Sequence, residues 1–221
     1  MPVRLRVAGR ARRFTLRVDP AGAGAVLTLP PGVPAAEAEA FLGRHAGWLA
    51  RALARRPPLV AIGPGARLPV AGTEAQVVLA PGPRRPPRLD GARLIVAGPG
   101  APGPRIAAWL KLRARDALVP AARRYAGMLG REAGAVALRD TRSRWGSCSS
   151  SGRLGFSWRL AMAPPEVLDY VAAHEAAHLV EMNHAPAFWA LLERLVPDYR
   201  RHRAWLRREG ARLHAFRFDA Q

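Results

Sequence analysis

Two histidines with a glutamate between them are the residues of this 221-residue sequence whose types and spacing best suit chemistry. The run from His174 to His178 reads H-E-A-A-H. Four residues make about one helical turn, so the two imidazoles project from one helix face and can share a metal ion. Glu175 would then lie beside the ion, where a carboxylate can take a proton from water and pass it to a leaving group. The pattern predicts metal-assisted hydrolysis with Glu175 as general base.

A third histidine lies at a spacing that could complete the metal site. His184 follows the predicted end of the helix, at residues 182–183, and precedes Pro186. A turn there would bring His184 back to the metal, and three imidazoles with an open fourth position are typical of catalytic zinc. A capping or solvent-exposed histidine is the alternative. Glu181, seven residues after His174, is a rival ligand, a partner of the ligands or a solvated side chain.

The helix that carries these residues is expected to be buried on its other side. Proline is tolerated in a first helical turn, so the helix should begin at residues 164–165. Its remaining positions include the apolar residues Val167, Leu168, Val171, Ala172 and Leu179. A strand is predicted immediately upstream, at residues 154–160, and is either an ordinary core strand or an edge on which an extended peptide could be laid.

Several other side chains are candidates for contacts with a substrate or a transition state. Arg142 and Arg144, in the loop at residues 141–152, could meet an anionic substrate or a developing oxyanion, or simply belong to a turn. Cys148 is expected to be a small buried residue, with a nucleophile or a fourth metal ligand as the alternatives. Tyr199 and His202 could donate a hydrogen bond to the oxyanion, although an exposed helix face better suits His202.

The rest of the chain predicts an α+β fold with a β-rich N-terminal lobe packed on a C-terminal lobe that carries the histidine helix. Strands within residues 3–29 suggest an antiparallel meander, and a helix over residues 34–56 should bury His45 and Trp48. A second helix begins near residue 106, and Pro120 should kink or divide it. Proline and glycine at residues 99–104 suggest a boundary, giving lobes at residues 1–100 and 101–221.

The charge is unusual, because 35 Lys and Arg residues against 16 Asp and Glu residues give a net charge of +19. Such a balance suggests a nucleic acid, a nucleotide or another anionic partner. Lys111 is the only lysine, however, and the abundance of arginine, alanine, glycine and proline is also typical of a GC-rich genome. A single cysteine excludes an intrachain disulfide. With no signal-peptide pattern and no membrane-spanning run, we expect a cytoplasmic protein without a membrane partner.

The C-terminal motifs resemble those of the YgjP-like metallopeptidase-domain family, zincin-like bacterial proteins related to the SprT and WLM metalloproteases. The resemblance is strong over residues 139–206 and loose before about residue 100. It implies one Zn²⁺ ion held by His174, His178 and His184, a zincin-like C-terminal lobe, and Glu175 as general base. Ala185 stands where a serine is common, which removes a helix N-cap worth about 1 kcal/mol. The motifs that carry the resemblance are Arg144–Cys148, Phe156–Leu160, Ala163–Pro164, His174–His178, Asn183–His184, Phe188–Trp189, Pro197–Tyr199 and Trp205–Leu206.

These observations predict a zinc-dependent hydrolase that cleaves peptide bonds in a peptide or protein substrate. The arginine excess leaves open a metal-dependent nucleotide or phosphoester hydrolase such as a nucleoside triphosphate pyrophosphatase. No glycine-rich phosphate loop supports that alternative. A third class, a DNA-associated binding protein with little intrinsic activity, predicts binding that weakens steeply as salt is raised.

Overall fold

The computed structural model describes residues 3–18, 24–55 and 57–219, which form two compact units, residues 1–58 and 59–221. The described residues combine α-helices with several small sheets, which confirms the α+β class. No helix in these three ranges is both long and apolar enough to cross a membrane.

The first unit is a three-stranded sheet with one helix. Its elements are β1 (Val3–Val7), β2 (Thr15–Val18), β3 (Ala25–Leu29) and α1 (Ala35–Ala54). The strand order is β1-β3-β2, with β1 parallel and β2 antiparallel to β3, so the predicted antiparallel meander is wrong. Most of the turn expected at residues 19–24, and the predicted helix end at Arg56, lie outside the described residues.

The helix α1 packs a small apolar cluster in which Leu27, Leu29 and Ala38 are buried. His45 stacks on Phe41 with ring centroids 4.1 Å apart, and its Nδ1 lies 2.8 Å from the Phe41 carbonyl oxygen. His45 is therefore a packed side chain. Trp48 is 45% exposed, so the prediction that it lies on the buried face is wrong.

The second unit contains the remaining elements and one large hydrophobic core. It is built from β4 (Val60–Ala61), β5 (Arg67–Val70), β6 (Thr73–Ala80), β7 (Arg88–Asp90), β8 (Arg93–Ala97), α2 (Pro102–Met128), β9 (Val136–Arg139), β10 (Gly146–Cys148), β11 (Leu154–Ser157), a 3-10 helix (Trp158–Met162), α3 (Pro165–Ala177), α4 (Pro186–Leu195), α5 (Tyr199–Leu213) and β12 (Phe216–Arg217). Its sheets have the orders β5-β6-β8-β7, β10-β11-β9 and β12-β4.

The long helix α2 supplies the floor of this core. Ile106, Leu110, Ala114 and Leu118 recur every four residues and are fully buried, and each buried leucine of this kind contributes about 1.5–3 kcal/mol. The helix runs through Pro120 without a break, so the structure does not divide it there. The helix packs against α3 and the 3-10 helix, and tertiary contacts of this kind can offset the hydrogen bond that an internal proline removes.

The sheet from β5 to β8 packs within the second unit, although the sequence analysis placed it in the N-terminal lobe. The turn between β5 and β6 explains this. The N–H groups of Ala71 and Gly72 donate to the carbonyls of Ala161 and Met162, at 2.9 and 3.1 Å. Gly72 has φ of +80°, and a Cβ there would lie 2.9 Å from the Cα of Pro164. This close approach joins the sheet to the start of α3, so the compact units divide at residue 58 and not near residue 100.

A buried histidine at the end of α5 makes stability depend on pH. His214 is 4% exposed and stacks on Trp145, with ring centroids 4.7 Å apart. Burial, helped by the charges of Arg159 and Arg142, lowers the pKa of His214 to about 4, while Asp140 acts in the opposite direction. An unfolded histidine titrates near about 6.5, so the unfolded chain takes up this proton first as the pH falls. Stability due to neutral His214 is complete above about pH 6.5 and is lost between about pH 6.5 and 4.

His214→Phe keeps a ring against Trp145 but cannot take up a proton. We therefore expect this variant not to lose folding stability through residue 214 as the pH falls. The difference in unfolding free energy between the wild type and His214→Phe should change by about 2 kcal/mol between pH 7 and 4.5, in favour of the variant at acid pH. Urea unfolding of both chains in a chelator, across that range, measures the difference. Parallel pH curves would contradict the assignment.

Candidate metal centre

The helix α3 positions the first two histidines and the glutamate, and most of its other side chains are buried. It packs against α2, α4, α5 and β10. Glu175 and His178 are 5% and 8% exposed, and His174 is half-buried. Alanines next to these residues, including Ala172, Ala173, Ala176 and Ala177, are fully buried, so small side chains let neighbouring elements approach the helix closely.

The structure brings His174, His178 and His184 together. One nitrogen from each ring lies within 4.8 Å of the others, and the Nε2 atoms of His174 and His184 are 3.1 Å apart. A tetrahedral zinc ion with Zn–N bonds of about 2.0–2.1 Å would place two ligand nitrogens about 3.3–3.4 Å apart. The distance between His174 and His184 is close to this value, and the three nitrogens together form a group that could hold one metal ion.

The helix ends earlier than predicted, and this brings His184 back to the other histidines. The last helical residue is Ala177, and the next N–H groups form tighter turns to the carbonyls of Ala176 and Ala177. Asn183 Oδ1 then accepts a hydrogen bond from the Ala185 N–H at 3.0 Å, which forms a tight turn, and no side chain caps α4 at Ala185, where a serine is common. The chain reverses within a few residues, as a three-histidine site requires.

Packing and hydrogen bonds hold the rings of His178 and His184. Nδ1 of His178 lies 2.9 Å from the main-chain oxygen of Glu181, which fixes the proton on Nδ1 and leaves Nε2 for a metal. Glu181 thus orients a ligand through its main-chain carbonyl, and its carboxylate is not part of the group formed by the three histidines. Phe188 stacks on the His178 ring, and Trp189 stacks on His184 and donates its indole N–H to the His184 carbonyl at 3.0 Å.

The electrostatics of the site favour neutral imidazoles. Burial, together with the neighbouring His178, His184 and Arg203, lowers the pKa of His174 to about 3. Burial also lowers the pKa of His184, with His178 and Arg203 acting in the same direction. A metal ion binds the unprotonated ring, so the lowered pKa values of His174 and His184 favour the form that binds a metal. The buried Nδ1 of His174 has no hydrogen-bond partner among the described residues.

Glu175 lies beside the histidines, against the main chain of β10. Burial raises the pKa of Glu175 to about 8, and the charge of Arg144 acts against that rise. A Cβ atom added at Gly146 would lie 2.5 Å from Cγ and 2.6 Å from Cδ of Glu175. Only a glycine at this position leaves room for the carboxylate where it stands.

These residues line a cleft with a volume of about 470 Å³. The floor is α3, and β10 and α5 both pack against it. The strand β11 has a neighbour on each side, so of the two alternatives for this segment the ordinary core strand is confirmed and the free edge is wrong. Residues 158–160 belong to the 3-10 helix. The strand beside the cleft with a free edge among the described residues is β10.

The hydrogen-bond pattern shows which main-chain groups of β10 face this edge. The main chains of Trp145 and Ser149 bond to the β11 side at 2.8 and 2.9 Å. Because bonded pairs alternate in an antiparallel ladder, Ser147 also bonds to that side. The N–H and C=O groups of Gly146 and Cys148 therefore point away from β11, toward the open edge.

The structure separates the other predicted site residues. Arg144 and Cys148 line the cleft, whereas Arg142 and Tyr199 do not. Arg142 is exposed, and its charge lowers the pKa values of Asp140 and His214. Tyr199 is buried, and its ring stacks on that of Trp189 with centroids 5.5 Å apart.

The structure argues against the chemical roles considered for Cys148 and places His202 differently from the prediction. Burial and the charge of Glu175 raise the pKa of the Cys148 thiol, which disfavours a thiolate nucleophile. Cys148 is also not grouped with the three histidines. His202 is buried and its Nε2 lies 3.0 Å from Asp198, so the prediction of an exposed helix face is wrong there.

The cleft residues that the sequence did not single out include Gly146, Tyr170, Arg203 and Arg207. Tyr170 lies four residues before His174, so helical spacing alone could have placed it on the same face. Burial raises its pKa to about 12, which keeps its hydroxyl protonated. The two arginines were hidden among the many arginines of α5, and no local pattern distinguishes them.

The family model of the YgjP-like metallopeptidase domain matches residues 12–209 of the chain. The match includes every residue of the candidate metal centre. Comparison with curated proteins and with solved structures gives no match.

Proposed function

The chain belongs to the YgjP-like metallopeptidase-domain family, and from that premise we propose that it is a zinc-dependent peptidase. The observation that carries the proposal is the group of three histidine nitrogens within 4.8 Å of one another, next to a buried carboxylate. The three imidazoles are those of His174, His178 and His184. A site of three nitrogen ligands with an open position suits catalytic zinc.

The bound ion would supply Lewis acidity, polarising a carbonyl oxygen and making water acidic near neutral pH. Glu175 accepts a proton from the attacking water and later delivers it to the amine that leaves. Burial suits this exchange, because a carboxyl with a raised pKa both takes up and releases a proton near neutral pH. His178 and His184 are held by the Glu181 carbonyl and by Trp189, so the ligand rings stay in place while the proton moves.

The free edge of β10 supports a peptide as the substrate. An extended chain laid beside β10 could pair with the main-chain groups of Gly146 and Cys148. The same pairing would place the substrate next to Glu175, because Glu175 packs against Gly146. A nucleotide has no main chain that could use this edge.

Hydrolysis of a casein-like protein by the purified chain tests the proposal. We expect activity that a chelator abolishes and that added zinc restores. Nucleoside triphosphates, assayed in parallel for phosphate or pyrophosphate release, should not be hydrolysed. Zinc-dependent triphosphate hydrolysis without proteolysis would replace the peptidase with a phosphoester hydrolase.

The contact between Gly146 and Glu175 gives a sharper prediction. Gly146→Ala should displace the carboxylate, and a misplacement of this kind lowers kcat/KM by about 10²-fold. Zinc content should remain at that of the wild type, because the atoms nearest to the new methyl group all belong to Glu175, which is not one of the three proposed ligands. Peptide hydrolysis and metal analysis of the same preparation measure both quantities.

Gly127→Ala is the matched control, because a Cβ there meets nothing within 4 Å. It should leave both quantities unchanged. Full activity in Gly146→Ala, or loss of zinc together with activity, would contradict a role for Gly146 in positioning Glu175.

A further inference from the structure

Three arginines line the cleft around the histidines and Glu175, and we name them the arginine wall: Arg144, Arg203 and Arg207. Arg144 immediately precedes the Trp145 that leads into β10, whereas Arg203 and Arg207 lie on α5. Since β10 and α5 both pack against α3, the positive charges lie on two sides of one cleft. Glu175 is the single carboxylate among the lining residues, and it already serves the proton transfer.

Arg203 is held next to the metal ligands by stacking. Its guanidinium lies over the Trp189 ring, 4.5 Å from the centroid, and the same ring stacks on His184. Its charge acts on both His174 and His184. Arg207 follows one turn later on the same face of α5, and like charges at this spacing repel each other. An anionic ligand would relieve that repulsion.

The arginines of α5 that line the cleft have no described acidic partner, whereas several of those outside it do. Arg203 and Arg207 form no ion pair with any described carboxylate. Three arginines that do not line the cleft are each paired: Arg200 with Glu193, Arg208 with Glu209 and Arg212 with Glu74. The unpaired charges of this helix thus include the two that face the site. Arg201 is exposed, does not line the cleft and also has no described acidic partner, which makes it a control.

The ligand set strengthens the positive field. Three neutral imidazoles leave the charge of a divalent ion uncompensated, and a cleft lined by one sign of charge concentrates ligands of the opposite sign. Carboxylates suit this wall, because a guanidinium binds them through paired hydrogen bonds. A peptide is favoured over a phosphate compound, since the open edge of β10 can pair only with a main chain.

We propose that the arginine wall selects peptide substrates that carry acidic side chains on both sides of the cleaved bond. The inference rests on the proposed peptidase function and names its substrate class. Arg144 contacts acidic residues on the β10 side of the cleft, and Arg203 and Arg207 contact those on the α5 side. Arg203 and Arg207 act on substrate binding, so their removal should raise KM more than it lowers kcat.

Three octapeptides that differ only at the positions flanking the central bond, with Glu, Gln or Lys there, test this selectivity. For the zinc-loaded wild type we expect kcat/KM for the Glu peptide to exceed that for the Gln peptide at least about tenfold, with the Lys peptide lowest. With all three wall arginines replaced, Arg144→Gln, Arg203→Gln and Arg207→Gln, the Glu and Gln peptides should become nearly equal, chiefly through a higher KM. Arg201→Gln should keep the wild-type preference.

Binding provides a readout independent of turnover. The labelled Glu peptide, followed by fluorescence anisotropy on Glu175→Gln, should bind at least about tenfold more tightly than the Gln peptide, and high salt should reduce the difference. The triple arginine substitution should abolish this difference in affinity, and Arg201→Gln should not.

The outcomes separate the two claims. Equal cleavage of all three peptides overturns the selectivity and leaves the peptidase standing. Arginine-dependent binding of the Glu peptide with no cleavage of any peptide overturns the peptidase and with it the substrate assignment. A nucleoside triphosphate that displaces the Glu peptide and is itself hydrolysed overturns the choice of a peptide. Equal losses in Arg201→Gln would show a general effect of charge and would also overturn the proposal.

Discussion

Glu175→Gln is expected to lower kcat/KM for peptide hydrolysis by about 10²- to 10⁴-fold, the range typical of a lost general acid or base. Glutamine has nearly the same shape but cannot accept and release a proton in this way. Glu175 is 5% exposed and packs against Gly146, so the amide should occupy the same space. Zinc content should stay unchanged, because the imidazoles of His174, His178 and His184 hold the metal in this account.

Glu166→Gln is the matched control for this result. Glu166 lies in the first turn of the same helix, is exposed and does not line the cleft. It should keep wild-type kcat/KM and zinc content. Glu175→Gln with wild-type activity would remove the proposed general base, and loss of zinc in the same variant would make the carboxylate a ligand instead.

His184→Ala is expected to weaken zinc binding more than about 100-fold, beyond the about 10- to 100-fold cost of losing a hydrogen-bond partner of a ligand. His184 is the exposed member of the three, so its removal should disturb the fold less than removal of His174 or His178. A ligand that binds only the folded state stabilises it by about 4.1 kcal/mol at a concentration 1,000 times its dissociation constant. Zinc should therefore raise the Tm of the chelated wild type and leave that of His184→Ala nearly unchanged.

His45→Ala is the control for the loss of one histidine, since His45 lies in the first compact unit, packed on Phe41. It should retain the zinc-dependent rise in Tm. Calorimetric titration of the chelated proteins gives the dissociation constants directly. Tight zinc binding by His184→Ala would exclude the three-histidine site.

The metal centre was predictable because most of its information is local. The spacing of His174, Glu175 and His178 places them on one helix face, and a turn before Pro186 returns His184 to them. The exact end of the helix was not predictable, because it depends on turn hydrogen bonds such as that from the Leu179 N–H to the Ala176 carbonyl.

The cleft walls were less predictable because they depend on contacts between distant elements. Arg203 and Arg207 look like any other arginines of a basic helix until α5 packs beside α3. Tyr199 was expected at the site, but stacking on Trp189 buries it instead. Gly146 carried no local signal, since its role depends on the approach of Glu175 from another element.

Strand pairing was the weakest part of the sequence prediction. Alternation in the first unit identified the strands, but it could not show that β1 pairs with β3 in parallel. In the second unit the short strand β11, which is buried at every position, is the centre of its sheet and not an edge. Periodicity reports which face of a strand is buried, whereas neighbours are chosen by the whole fold.

The most direct test of the central claim is a titration of the chelated protein with zinc while peptide hydrolysis is followed. The account predicts no hydrolysis without metal and a linear rise in activity that stops at one zinc ion per chain. Hydrolysis that persists in the chelated protein, or a fully zinc-bound chain that cleaves no peptide, would contradict it.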